Sequence, residues 1–75
     1  MSLRTIQQIA DIFATDPAEN KELVMGLVEA RTELQLDTVD NYRHGGLYSL
    51  DDQKDMVKKY NTKNGKEIPF GRLSR

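Results

Sequence analysis

The sequence predicts an all-α fold, a small helical domain of about four helices. Two observations carry that expectation. Apolar residues recur at three- and four-residue spacing rather than in alternation. Capping residues also punctuate the chain at intervals of helix length, with Thr5, Asp16, Asp37 and Ser49 each preceding a run that can be helical. A chain of 75 residues makes one domain and leaves no room for a second core.

Ile6, Ile9, Ala10 and Phe13 fall at i, i+3, i+4 and i+7, the apolar stripe of an amphipathic helix within 5–14. Thr5 and Gln8 are spaced for a capping box, with Ser2 as an alternative cap one turn earlier. The next start is the strongest local signal. Asp16 is placed as N-cap, Pro17 at the first helical position where a missing N–H costs nothing, and Glu19 at N3. The second helix is expected over 17–35, with Leu23, Leu27, Ala30 and Leu34 as its stripe and Val24 and Val28 widening it. Gly26 in the middle of that helix costs about 1 kcal/mol relative to alanine, which predicts that another helix approaches closely there. Joined by a short turn, the first two helices should pack as an antiparallel hairpin.

Asp37 can cap a short helix over 38–44, with Val39 and Tyr42 inward and Gly45 taking the left-handed position after it. Ser49, with Asp52 three residues on, opens a helix over 50–60 that turns Leu50, Val57 and Tyr60 inward, with Met56 beside them. Asn61 to Gly65 is expected to stop it. The domain then comprises 1–65. The remaining KEIPFGRLSR, 66–75, is broken by Pro69 and Gly71 and is expected to be an irregular basic tail, pinned by Ile68, Phe70 and Leu73.

The net charge of −1 conceals a division along the chain. Residues 1–53 hold four cations against ten carboxylates, a net of −6, while 54–75 hold seven cations against two, a net of +5. Either the basic end is a binding tail, or it folds back across the acidic helices. A hydrophobic fraction of 37% without tryptophan makes the core thin. A domain this short buries only about 60% of the surface its unfolded chain exposes, so a homo-oligomer or a protein partner is expected to cover apolar surface. No cysteine is present, which removes disulfides and thiolate metal ligands and favours a reducing compartment. The longest apolar stretch containing Gly26 is LVMGLV, far short of the roughly 20 residues needed to span a bilayer, and the N-terminus lacks an apolar signal region. A cytoplasmic protein without membrane insertion is expected.

No catalytic, metal or cofactor signature is present. One histidine, no cysteine and no glycine-rich phosphate loop leave only carboxylates, and these lie at helix starts or on polar faces. A non-enzymatic protein without a cofactor is expected. Two nucleic-acid readings compete with protein binding. Residues 30–46 partly resemble the second half of a helix-turn-helix, with Ala30, Leu34, Leu36 and Val39 interlocking and Thr38, Asn41 and Arg43 facing a groove. The turn holds Gln35 where glycine is common, however, and Asp37 and Asp40 would face phosphates. The basic end, with Lys58, Lys59, Lys63, Lys66, Arg72 and Arg75 beside Tyr60 and Phe70, could track a single strand.

Protein binding is favoured over both. The segment YRHGGLY, 42–48, gathers the only histidine with paired glycines and two tyrosines. Its first role is local, His44 meeting a helix C-terminus and Gly45 and Gly46 allowing a reversal. If exposed together, Arg43, His44 and Tyr48 form a partner contact patch, with Lys58 and Lys59 adding basic surface. Leu23, Leu27 and Leu34 are the stripe for the core or for self-association.

The acidic helical body, the lysine- and asparagine-rich end and the absence of cysteine make the whole chain similar to small T-even bacteriophage regulators, the rapid-lysis antiholins among them. That resemblance rests on no diagnostic motif and transfers no site residue. It implies a cytoplasmic regulator that binds the N-terminal cytoplasmic part of a phage holin and inhibits lysis.

Overall fold

A computed structural model describes residues 3–36 and 46–74. The all-α expectation holds. Among the described residues three α-helices, α1 (Ile6–Phe13), α2 (Pro17–Glu33) and α3 (Leu50–Asn64), are followed by a C-terminal 3-10 helix (Phe70–Ser74). The helix expected over 38–44, with Arg43, His44 and Gly45, lies outside the described residues.

The caps explain where each helix begins. Thr5 and Gln8 form the reciprocal box, with Gln8 N donating to Thr5 Oγ1 at 3.1 Å and Thr5 N to Gln8 Oε1 at 2.9 Å. Asp16 caps α2, accepting from Glu19 N at 2.8 Å. The Glu19 carboxylate reaches back one residue further than a standard box, to Thr15 N at 2.9 Å. Gln7, Asp11 and Asn20 cross-link α1 and α2 by side-chain hydrogen bonds of 2.7–2.9 Å, which fixes the hairpin on its polar side.

The α2 C-terminus closes as a Schellman motif. Leu36 N donates to Arg31 O at 2.9 Å and Gln35 N to Thr32 O at 3.1 Å, which requires Gln35 at φ 57. The glycine missing from this turn is therefore a real energetic cost, because a Cβ in the left-handed region is penalised. Gln35→Gly should raise stability by about 0.5–1 kcal/mol, read as a higher urea midpoint at unchanged m-value. A lower midpoint would show that the Gln35 side chain does more than occupy the turn.

The core joins α1, α2, α3 and the C-terminus. Ile6, Ile9 and Ala10 meet Leu23, Leu27 and Ala30 of α2 and Met56, Val57 and Tyr60 of α3. Leu34 is half-buried at the edge. Leu23 and Leu27 thus serve the chain's own core, the first of the two roles expected of the stripe. The Gly26 expectation is also met: a Cβ there would overlap Cε1 and Cδ1 of Tyr60, so the glycine lets α2 and α3 approach.

Three expectations need correction. The helix expected to stop at Tyr60 runs to Asn64, and Gly65 at φ 62 ends it. Asn61, Thr62 and Asn64 are tolerated because their side chains bond within or beside the helix: Thr62 Oγ1 to Lys58 O at 3.1 Å and Asn64 Nδ2 to Tyr60 O at 3.0 Å. The tail expected to be irregular is so only over 66–69; Phe70–Ser74 form the 3-10 helix, and the segment packs against the domain. Asn61 clamps it at Ile68, giving Nδ2 to Ile68 O at 3.1 Å and accepting from Ile68 N at 3.0 Å, and Leu73 is 0% exposed.

Tyr48, a partner-contact candidate only if exposed, is 3% exposed. Its backbone pairs with Arg4 in an isolated antiparallel bridge, Tyr48 N to Arg4 O at 2.8 Å and Arg4 N to Tyr48 O at 3.2 Å. Gln53, fully buried, donates to Tyr48 O at 2.8 Å and accepts from Arg4 Nη1 at 2.8 Å; the same nitrogen donates to Leu73 O at 2.9 Å. One guanidinium thus ties the N-terminal segment, the start of α3 and the C-terminus together.

Candidate functional site

The charge division resolves as a fold-back. Lys63 Nζ lies 2.6 Å from Glu33 Oε2 and 3.2 Å from Glu29 Oε2, joining the end of α3 to the end of α2. The hydrogen bond from Lys63 is the largest cause that holds the Glu33 carboxyl below its ordinary value of 4.5; desolvation opposes it, and the Lys63 and Lys59 charges add to the lowering. A depressed folded-state pKa stabilises the fold at pH values above the unfolded carboxyl's, and that contribution disappears as pH falls through the folded value. Lys63→Gln should therefore bring the Glu33 titration, followed by carbon NMR of its carboxyl, back up toward 4.5. An unmoved titration would mean that the pair does not persist in solution.

Elsewhere a groove of about 200 Å³ opens between the start of α2, the end of α3 and the C-terminal segment. Its floor is apolar: Phe13, Leu23, Tyr60, Ile68 and Pro69. The turn after Phe13 brings α2 back along α1, which sets Leu23 beside Phe13. The Asn61 clamp on Ile68 folds the last residues over the other side. The rims carry opposite charge, Glu19 and Glu22 from α2 and Lys66 and Arg72 from the C-terminal segment. Burial, followed by the Glu22 and Glu19 charges, pushes the Tyr60 phenol above its ordinary value, so the aromatic floor sits on the electronegative side.

Of the residues expected to bind a partner, Tyr48 is withdrawn into the core and Arg43 and His44 fall outside the described residues. Lys58 is exposed and Lys59 half-buried near Glu33. The structure does not gather them into a pocket. It gathers Glu22, Tyr60, Ile68 and Arg72 instead, residues from three segments that share no sequence motif. Tyr60 and Arg72 were singled out in the sequence for a nucleic-acid strand and Ile68 as a pin, while Glu22 entered only through the charge division. The large exposed apolar side chains Leu3 and Met25 stand apart as single residues, an ordinary surface feature.

Among the described residues no group of three His, Cys, Asp or Glu side chains is placed to hold a metal ion. No described helix is long and apolar enough to cross a membrane. No family model, curated protein or solved structure matches the chain.

Proposed function

We propose that this protein is a small non-enzymatic regulator that acts by binding another protein through the groove between α2 and the C-terminal segment. The observation that carries the reading is the groove's size and lining. At about 200 Å³ it is smaller than the roughly 300–1,000 Å³ typical of cofactor and drug-sized ligand sites. It suits one bulky apolar side chain instead, the way an interface anchor sits in a desolvated pocket inside a polar rim. Nucleic-acid binding by the basic end has less support. Lys63 is engaged by two carboxylates, and Lys66 and Arg72 share their groove with Glu19 and Glu22, which would repel a phosphate backbone.

The resemblance to T-even regulators gives the finer form of the proposal: a cytoplasmic lysis inhibitor whose partner is the N-terminal cytoplasmic segment of a phage holin. Titration of the isotope-labelled chain with a synthetic peptide of that segment tests it. Saturable shifts at the Leu23, Tyr60, Ile68 and Arg72 amides are expected. No shift at millimolar peptide would remove the holin, and shifts on another face would remove the groove. A duplex that binds with steep salt dependence between 50 and 200 mM would favour the nucleic-acid reading.

A further inference from the structure

We infer that the groove recognises a protein segment in which one apolar anchor residue lies between a basic and an acidic residue. The inference rests on the groove being a protein-binding site and adds the chemistry of what enters it. Three features converge. The floor of Leu23, Tyr60 and Ile68 is apolar and has room for one side chain. The rims differ in sign, with Glu22 on one element and Lys66 and Arg72 on another. Finally, these rim charges are unspent. Among the described residues Glu22, Lys66 and Arg72 make neither an ion pair nor a side-chain hydrogen bond, although the three line a common groove.

The contrast with Lys63 sharpens the point. One turn earlier the same basic segment closes on Glu29 and Glu33 at 3.2 and 2.6 Å, so the chain does collapse opposite charges where its backbone lets them meet. Across the groove it holds them apart. Glu19 is the less available of the two α2 carboxylates, since its Oε1 already accepts from Thr15 N at 2.9 Å. Glu22 is therefore the group that receives a partner's lysine or arginine. Arg72, whose planar fork matches a carboxylate, receives the acid with Lys66 beside it. The anchor supplies affinity by leaving water. The two charge pairs sit at an exposed rim, where each contributes little free energy but fixes which way the segment lies.

Blocked pentapeptides read by proton–nitrogen NMR on the full chain test this. The probes are acetyl-Lys-Ala-Leu-Ala-Glu-amide, its reverse sequence, the uncharged acetyl-Gln-Ala-Leu-Ala-Gln-amide, and an anchorless version with alanine in place of leucine. The better of the two charged peptides is expected to bind about three- to tenfold more tightly than the uncharged one, the effect of two rim pairs. The anchorless peptide should not saturate. In the variant Glu22→Gln/Lys66→Gln/Arg72→Gln, the charged and uncharged peptides should bind alike. Equal affinity of both peptides for the unaltered chain would overturn the inference while leaving the groove as an apolar docking site. Absence of any groove shift with all four peptides at about 10 mM would overturn both readings, since even weak anchors register at that concentration.

Discussion

Leu73→Ala lowers the stability of this protein by about 2–5 kcal/mol, the range for removing most of a fully buried leucine side chain. Leu73 is 0% exposed although only Ser74 and Arg75 follow it in the sequence. It packs into the core that Ile9, Leu27, Met56 and Val57 share, beneath a carbonyl bonded to the Arg4 guanidinium at 2.9 Å. A 75-residue domain has a total stability of about 4–11 kcal/mol, so the loss removes a large part of it. The thermal midpoint should fall by about 8–40 °C, since 1 kcal/mol corresponds to about 4–8 °C at this size. Thermal unfolding followed by circular dichroism reads this directly. A fall below about 1 kcal/mol would place Leu73 outside the core and return 66–75 to the status of a loose tail. Such a tail would also unmake the groove, whose basic rim is carried by this segment.

Gly26→Ala is the second large effect, and its sign depends on Tyr60. On an isolated helix the change would stabilise by about 1 kcal/mol, because alanine is the better helix former. Here the new Cβ overlaps two ring carbons of Tyr60, which is itself 4% exposed and has little room to move. Forcing a methyl group into a packed contact costs about 1–3 kcal/mol, which outweighs the helix gain. In a Tyr60→Ala background the obstruction is gone and the same substitution should become neutral or stabilising. The double-mutant cycle, measured by urea unfolding, therefore gives a coupling of at least about 1 kcal/mol between the two positions. Additive effects would show that α2 and α3 do not approach at Gly26. Because Tyr60 also floors the groove, Gly26→Ala should weaken partner binding as well as folding, by displacing the ring.

Much of the fold was legible because its signals are local. A capping box needs only Thr5 and Gln8, and a helix start only Asp16 and Pro17. The stripes of α1 and α2 lie within single helices, so Ile6, Ile9, Ala10, Leu23, Leu27 and Ala30 were all assigned to the core from spacing. The charge division and the close approach at Gly26 were legible too. What spacing missed has a common cause. Tyr48 is buried because its backbone pairs with Arg4, 44 positions earlier, and no periodicity links two such residues. Gln53 looks like a solvent-facing helix residue in the sequence; it is fully buried because Arg4 and the Tyr48 carbonyl satisfy its amide. Asn61 reads as a helix breaker, yet its amide mimics a strand partner for Ile68 and the helix continues past it.

The YRHGGLY corner shows the same division within seven residues. Of its two glycines, Gly46 lies among the described residues, and at φ 78 it takes the left-handed backbone that glycine tolerates. Whether its tyrosines face water is a question of what packs over them, and for Tyr48 the answer came from the N-terminal segment. The groove was still less legible. Its anionic rim belongs to the first turns of α2 and its cationic rim to the last residues of the chain, about 50 positions away. By itself the sequence determined that this protein is helical, where most helices begin and that acid and base are separated along it, because caps, stripes and composition act over one or two turns. Only the tertiary structure decided that the basic end packs as part of the core, that one arginine ties both termini to α3, and that unpaired opposite charges flank an apolar groove, because each depends on residues brought together by burial rather than by spacing.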